Sequence, residues 1–184
     1  MILISILDLR LWKPLSRSVD APAYRHLLSP DALAVIERDF PLWLTELLKY
    51  KVKRAIELQQ FPVKYKPLNA DYVEWKKATG LKPGFWQATD FLRKSIKVWY
   101  DASTHTHHIG FPPDLLHPTD RTPVAAIARR LEVGDRKQHL PPRPLFTPIA
   151  ESMSRNIRKH LREFLSMHHP DKLGLLDPQL LTGA

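Results

Sequence analysis

The sequence predicts an α+β fold: an antiparallel β-sheet including a hairpin, packed by two long helices and shorter helices, with extended termini. Three observations point there. Residues 29–60 and 147–165 carry apolar side chains at helical spacing. Between them "SIKVWYD" alternates as a strand does, "DAST" turns the chain, and "THTHHIGF" returns. Seventeen prolines against six glycines supply stiff connections. At 184 residues, with 43% hydrophobic and 26% charged residues, the chain suits one folded domain with a core. The expected organisation is an N-terminal arm (1–28), a single α+β domain (29–168) and a C-terminal tail (169–184).

Taken in order, Leu3, Leu7 and Leu11 fit a helix while Ile2, Ile4 and Ile6 fit one face of a strand; periodicity leaves both open, and a strand or extended arm is favoured. Ser29 and Pro30 open a helix as N-cap and first helical residue. Its stripe runs through Leu33, Ile36, Phe40, Leu44, Leu47, Leu48, Val52, Ala55 and Ile56, and is expected to cover the sheet. Pro41 should break or kink it, with Asp39 capping a renewed helix. Asn69 caps a short helix that Gly80 ends. Lys82-Pro83-Gly84 reads as a type II turn in which glycine supplies a positive φ. Thr89 or Asp90 starts one helical turn before the hairpin, where Ile96, Val98 and Tyr100 share one face and Lys97 and Trp99 the other. Thr122-Pro123 caps a helix to about Val133, stopped at Gly134. "DRKQH" forms a polar loop, "LPPRP" an extended elbow of polyproline character. Thr147-Pro148 then caps the last long helix, with Ile149, Met153, Ile157, Leu161, Phe164 and Leu165 buried and Glu151 complementing its dipole.

A formal charge of +9 favours anionic partners: nucleic acid, an anionic membrane surface or an acidic protein face. With no cysteine, disulfides and Cys-based zinc sites are excluded. The apolar opening "MILISILDLRLWKP" is too short for a membrane span and lacks a signal peptide's basic start, so a soluble protein is expected.

Few residues suggest chemistry. His105 and His107 have a spacing that some metal sites use along a strand, but nothing fixes a third ligand. His169-Pro170-Asp171 matches the tripeptide by which J-domain co-chaperones engage their ATPase partner, yet the second helix of that arrangement is missing. No Gly-rich phosphate loop or nucleophile motif occurs, so no catalytic residue, cofactor or metal is assigned, and a non-enzymatic protein is expected. Arg155, Arg158, Lys159 and Arg162 form a basic stripe at i, i+3, i+4 and i+7, facing solvent, DNA phosphates or an acidic protein neighbour.

The order of elements resembles the tail-completion or neck proteins of tailed bacteriophages, a group also described as virion morphogenesis or minor tail proteins. Three segments carry the resemblance across residues 31–165: Thr89-Asp90-Phe91-Leu92-Arg93-Lys94-Ser95-Ile96, with Asp where that family has Gly; Ala128-Arg129-Arg130-Leu131-Glu132-Val133-Gly134; and Pro142-Arg143-Pro144-Leu145-Phe146, with Leu inserted before the aromatic. The resemblance implies a structural virion protein that forms a homo-oligomeric ring at the head–tail junction, around the DNA channel. Its implied partners are its own copies and connector, stopper, tail-terminator or tail-tube proteins, with contact to packaged DNA and no membrane. The implied location is the virion, and the host cytoplasm during assembly. A basic nucleic-acid-binding module is the alternative. On the ring reading, loop 134–140 with Arg136 and Lys137 is a contact arm, and Arg143 pins the elbow to a neighbouring carboxylate. Trp99 is an interface anchor or part of a second apolar layer under a helix.

Overall fold

Residue Phe40 shows how the apolar stripes close on one core. It is fully buried against Phe164, with ring centroids 5.5 Å apart, so the first long helix meets the last one directly. The computed structural model describes residues 30–87, 90–103, 106–137 and 139–169, with side chains from residue 38 onward. The N-terminal arm, Thr89, His105, the tail beyond His169 and the Ser29 cap therefore lie outside the described residues, as do the side chains of Leu33 and Ile36. Described in chain order are α1 (Pro30–Leu58), α2 (Ala70–Ala78), α3 (Phe91–Ser95), β1 (Lys97–Asp101), β2 (Thr106–Gly110), α4 (Val124–Val133), α5 (Phe146–Arg155) and α6 (Ile157–His168). The architecture is α+β.

Strands β1 and β2 form an antiparallel pair in which Val98 faces Ile109, Trp99 faces His108 and Tyr100 faces His107. Directly opposed residues share a face, so Ile96, Val98 and Ile109 supply the apolar side. Helix α1 packs on both strands and on α5 and α6. Its buried residues Phe40, Leu44, Leu48, Val52, Ala55 and Ile56 follow the expected stripe. Among the described residues, no helix is long and apolar enough to cross a membrane.

Pro41 breaks nothing: α1 is one helix of 29 residues with Pro41 inside it. Proline removes one ladder hydrogen bond and crowds the preceding turn, at about 3 kcal/mol. Phe40, Leu44 and Leu48 keep helical phase across it and are all buried. Each such side chain contributes about 1.5–3 kcal/mol on burial, enough in sum to offset the proline. The Pro41 carbonyl also accepts the Thr45 hydroxyl at 2.6 Å.

The last helix is two helices. Asn156, at φ −104° and ψ 21°, separates α5 from α6, and its side-chain amide donates to the Ser152 carbonyl at 2.7 Å. An asparagine that bonds its own preceding turn competes with the helical ladder. The apolar spacing Ile149, Met153, Ile157, Leu161 passes through the break in phase, which conceals it in the sequence. The expected type II turn also differs. Gly84 is not among the positive-φ residues, whereas Trp86 is, at 55°. Glycine is needed at 84 for room, since a Cβ there would stand 2.6 Å from the Gln59 side chain. That side chain is fixed at both ends, donating to the Phe85 carbonyl and accepting from the Phe85 amide. The Asn69 cap forms as expected, accepting from the Asp71 amide at 2.9 Å.

Pro41→Ala should restore a helical N–H in an intact core and raise unfolding stability by about 1–3 kcal/mol. Urea unfolding of the two proteins measures this; an unchanged or lower midpoint would show that the proline is favourable where it stands.

Candidate interaction surface

The two segments that flank loop 134–140 fold into one unit, and a carboxylate makes the join. Glu132 continues the buried face of α4 set by Val124 and Ala128 and is only 7% exposed. Its Oε2 accepts from the Leu145 amide at 2.8 Å and the Phe146 amide at 3.3 Å; its Oε1 accepts from the Thr147 amide at 3.0 Å. These amides open α5, where N–H groups lack partners within the helix and the dipole favours negative charge. Helix α5 therefore starts at Phe146 with a cap supplied from another helix, and not at a Thr147 cap. Helix α4, by contrast, has no side-chain cap among the described residues; its first amide, Val124, donates to the Leu115 carbonyl at 2.9 Å.

The elbow between these helices is fastened by three further bonds. The Arg143 amide donates to the Leu131 carbonyl at 2.7 Å. The Trp86 indole donates to the Arg143 carbonyl at 3.2 Å, and the Tyr65 hydroxyl donates to the Pro144 carbonyl at 2.7 Å. Burial and the nearby Glu132 charge push the Tyr65 phenol well above its ordinary pKa, so it stays a donor. Gly134 closes the other side. At φ 81°, a Cβ on it would lie 2.8 Å from the Leu140 carbonyl oxygen.

The expected site residues separate into distinct settings. Arg136 and Lys137 are exposed, but loop 134–140 is no free arm: Asp135 and Leu140 exchange two backbone bonds of 2.9 Å, and the Lys137 amide bonds the Asp135 carboxylate. Arg143 is 8% exposed, lies over the Phe85 ring 5.2 Å from its centroid, and pairs with no carboxylate of the described chain. Burial lowers its pKa. Trp99 is half-buried and stacks on His108 at 5.5 Å and 17°. The basic stripe is divided: Arg155 ends α5, while Arg158, Lys159 and Arg162 lie exposed on α6.

Lys159 joins residues that are remote in sequence. With Lys51, Arg54 and His160 it lines a groove of about 520 Å³ that Phe61 and Met153 also line. Arg54 pairs with Glu57 at 2.9 Å, and Lys159 approaches Glu163 at 4.0 Å, so part of this charge is balanced locally. Spacing on α1 could have placed Lys51 and Arg54 together, but only the packing of α6 brings Lys159 to them. Around His107 no group of three or more His, Cys, Asp or Glu residues suited to a metal exists among the described residues. Burial first, then the His108 charge, lowers the His107 pKa, and its Nδ1 is buried without a partner among the described residues. His169 is described, while Pro170 and Asp171 lie outside the described residues.

Comparison with protein-family models, curated proteins and solved structures finds no match to this chain.

Glu132→Ala should strand three amides at the start of α5 and lower stability by about 3 kcal/mol or more, with Glu132→Gln between it and the parent. A loss under about 1 kcal/mol in urea unfolding would refute the clamp. For His107 the folded-state pKa lies below the unfolded one, so its contribution is complete above about pH 6.5 and declines as pH falls. The stability difference between the parent and His107→Phe should shift in that direction on acidification; a pH-independent difference would contradict the burial.

Proposed function

We propose that the chain is a structural virion protein of the head–tail junction of a tailed bacteriophage, a neck or tail-completion subunit that works through contact faces. One observation carries this reading. The segments that resemble that family, 128–134 and 142–146, are joined through Glu132 and the amides of Leu145, Phe146 and Thr147, so the spaced residues are the frame of one structural unit. A frame braced by proline and distant hydrogen bonds suits a symmetric ring, where each interface repeats and angular errors accumulate.

On this reading the chain assembles with its own copies and with connector, stopper, tail-terminator or tail-tube proteins around the DNA channel. It resides in the virion, and in the host cytoplasm before assembly. Arg136 and Lys137 at the loop tip, Trp99 on the hairpin and the exposed cations of α6 face these neighbours or the packaged DNA. No catalytic role is assigned to any residue. The exposed set Arg158, Lys159 and Arg162, with the net charge of +9, supports a second reading as a basic nucleic-acid-binding module.

Light scattering of the full chain, alone and mixed with connector rings from the same virion, separates the two. Assembly predicts a ring-sized complex on the connector, presence in purified particles, and weak binding to free duplex DNA. A lone monomer that binds duplex tightly, with affinity falling steeply in salt, and is absent from particles would overturn it.

A further inference from the structure

The corner beside the proline elbow buries more positive charge than the described chain balances. Lys76 and Arg143 are 4% and 8% exposed. Lys76 uses two of its three N–H donors on the carbonyls of Gly84, at 2.9 Å, and Gln87, at 2.8 Å. Arg143 rests on Phe85, and its Nε is out of solvent without a hydrogen-bond partner among the described residues. Neither cation makes an ion pair with a described carboxylate. Glu132, whose charge reaches the adjoining Tyr65, is committed to three backbone amides. Burial lowers the pKa of Lys76, and the Arg143 charge lowers it further, so the two cations sense each other. A buried charge without a partner is costly, and a well-placed incoming anion offsets part of that cost.

Beside these cations stands an exposed aromatic pair. Tyr72 and Trp75 are 47% and 52% exposed, and their rings stack at 5.6 Å and 15°. Lys76 Nζ lies 5.6 Å from the Tyr72 ring centroid, which ties the pair to the cations. Arginine, tyrosine and tryptophan around a shielded centre form the composition on which protein interfaces concentrate their binding energy.

We propose that this corner receives an acidic side chain of a partner protein, its carboxylate against the Arg143 guanidinium, Lys76 adding a second positive charge, and Tyr72 and Trp75 covering the flank. The guanidinium presents paired donors that match a carboxylate. A duplex backbone reaches exposed cations such as Arg158, Lys159 and Arg162, whereas Arg143 is nine-tenths covered and suits a group on a side-chain stalk. That the partner is a protein rests on the assembly reading.

The test uses the isotopically labelled full chain and follows the Arg143 Nε–H and Trp75 indole N–H resonances by NMR. The probes are a capped leucine–glutamate dipeptide, inorganic phosphate, and sodium chloride at matched ionic strength. The dipeptide should move both resonances together to saturation; Arg143→Lys should weaken its binding about tenfold, and Arg158→Gln should leave it unchanged. The wild-type titration stands whether or not Arg143→Lys folds. No saturable shift, a response equal to chloride, or saturation at the α6 cations instead would overturn the site. Saturation by phosphate but not by the dipeptide would overturn the acidic partner. Because the titration needs no ring, its failure leaves the connector experiment standing, and failure of that experiment leaves a saturable carboxylate site intact.

Discussion

The carboxylate of Glu132 sits where the amides of Leu145, Phe146 and Thr147 would otherwise be stranded, and the second half of the domain is arranged around that contact. A helix start buried against its neighbours cannot rely on water for its free amides. The chain solves this with a side chain from α4 rather than with a local cap. The solution has a geometric consequence: α4 and α5 are coupled end to end, and the elbow between them cannot pivot without breaking three bonds. Phe146 and Leu145, both fully buried, are thereby held in the core where Phe146 meets Trp86 and Phe111.

Around the clamp, polar groups act as fasteners and aromatic groups as filler. Phe61, Tyr65 and Phe85 form a tilted and edge-to-face cluster with centroids 4.7 to 5.9 Å apart. Such contacts each contribute about 0.5–1.5 kcal/mol beyond burial, and Phe85 in this cluster also lies under the Arg143 guanidinium. The result is a rigid corner with a positive interior next to a looser, solvent-facing set of cations on α6. The two kinds of charge differ in physical character. Exposed cations are screened by salt and add little individually, whereas a sheltered one keeps most of its field.

What the sequence reveals of this molecule is local. The α1 stripe, the hairpin with its Val98 and Trp99 faces and the Asn69 cap follow from spacing and turn chemistry, because the interactions that decide them lie within a few residues. Pro41 reads as a breaker because its cost is local, while the compensating contact with Phe164 is remote. Asn156 is hidden because the apolar spacing runs through it unchanged. Glu132 carried a usable signal: it repeats the four-residue spacing of Val124 and Ala128, which places a carboxylate on a buried face and requires donors to meet it. Arg143 is expected from sequence to pair with a neighbouring carboxylate, because nothing nearby in sequence announces Phe85 beneath it. Lys76 gave no warning either, since the carbonyls that hold it come from a turn eight and eleven residues on.

The bonds that fix the elbow span long loops: Tyr65 reaches Pro144 across 79 positions, and Trp86 reaches Arg143 across 57. Closing loops of that size carries an entropic toll before any contact rewards it, which slows the search for the native arrangement. On a ribosome, α1 and the hairpin emerge well before the residues that complete their apolar surface, so a nascent chain shows Phe40, Trp43 and Trp86 to its surroundings until the final helices arrive. The same stiffness that defines the finished fold therefore makes its birth a late, collective event.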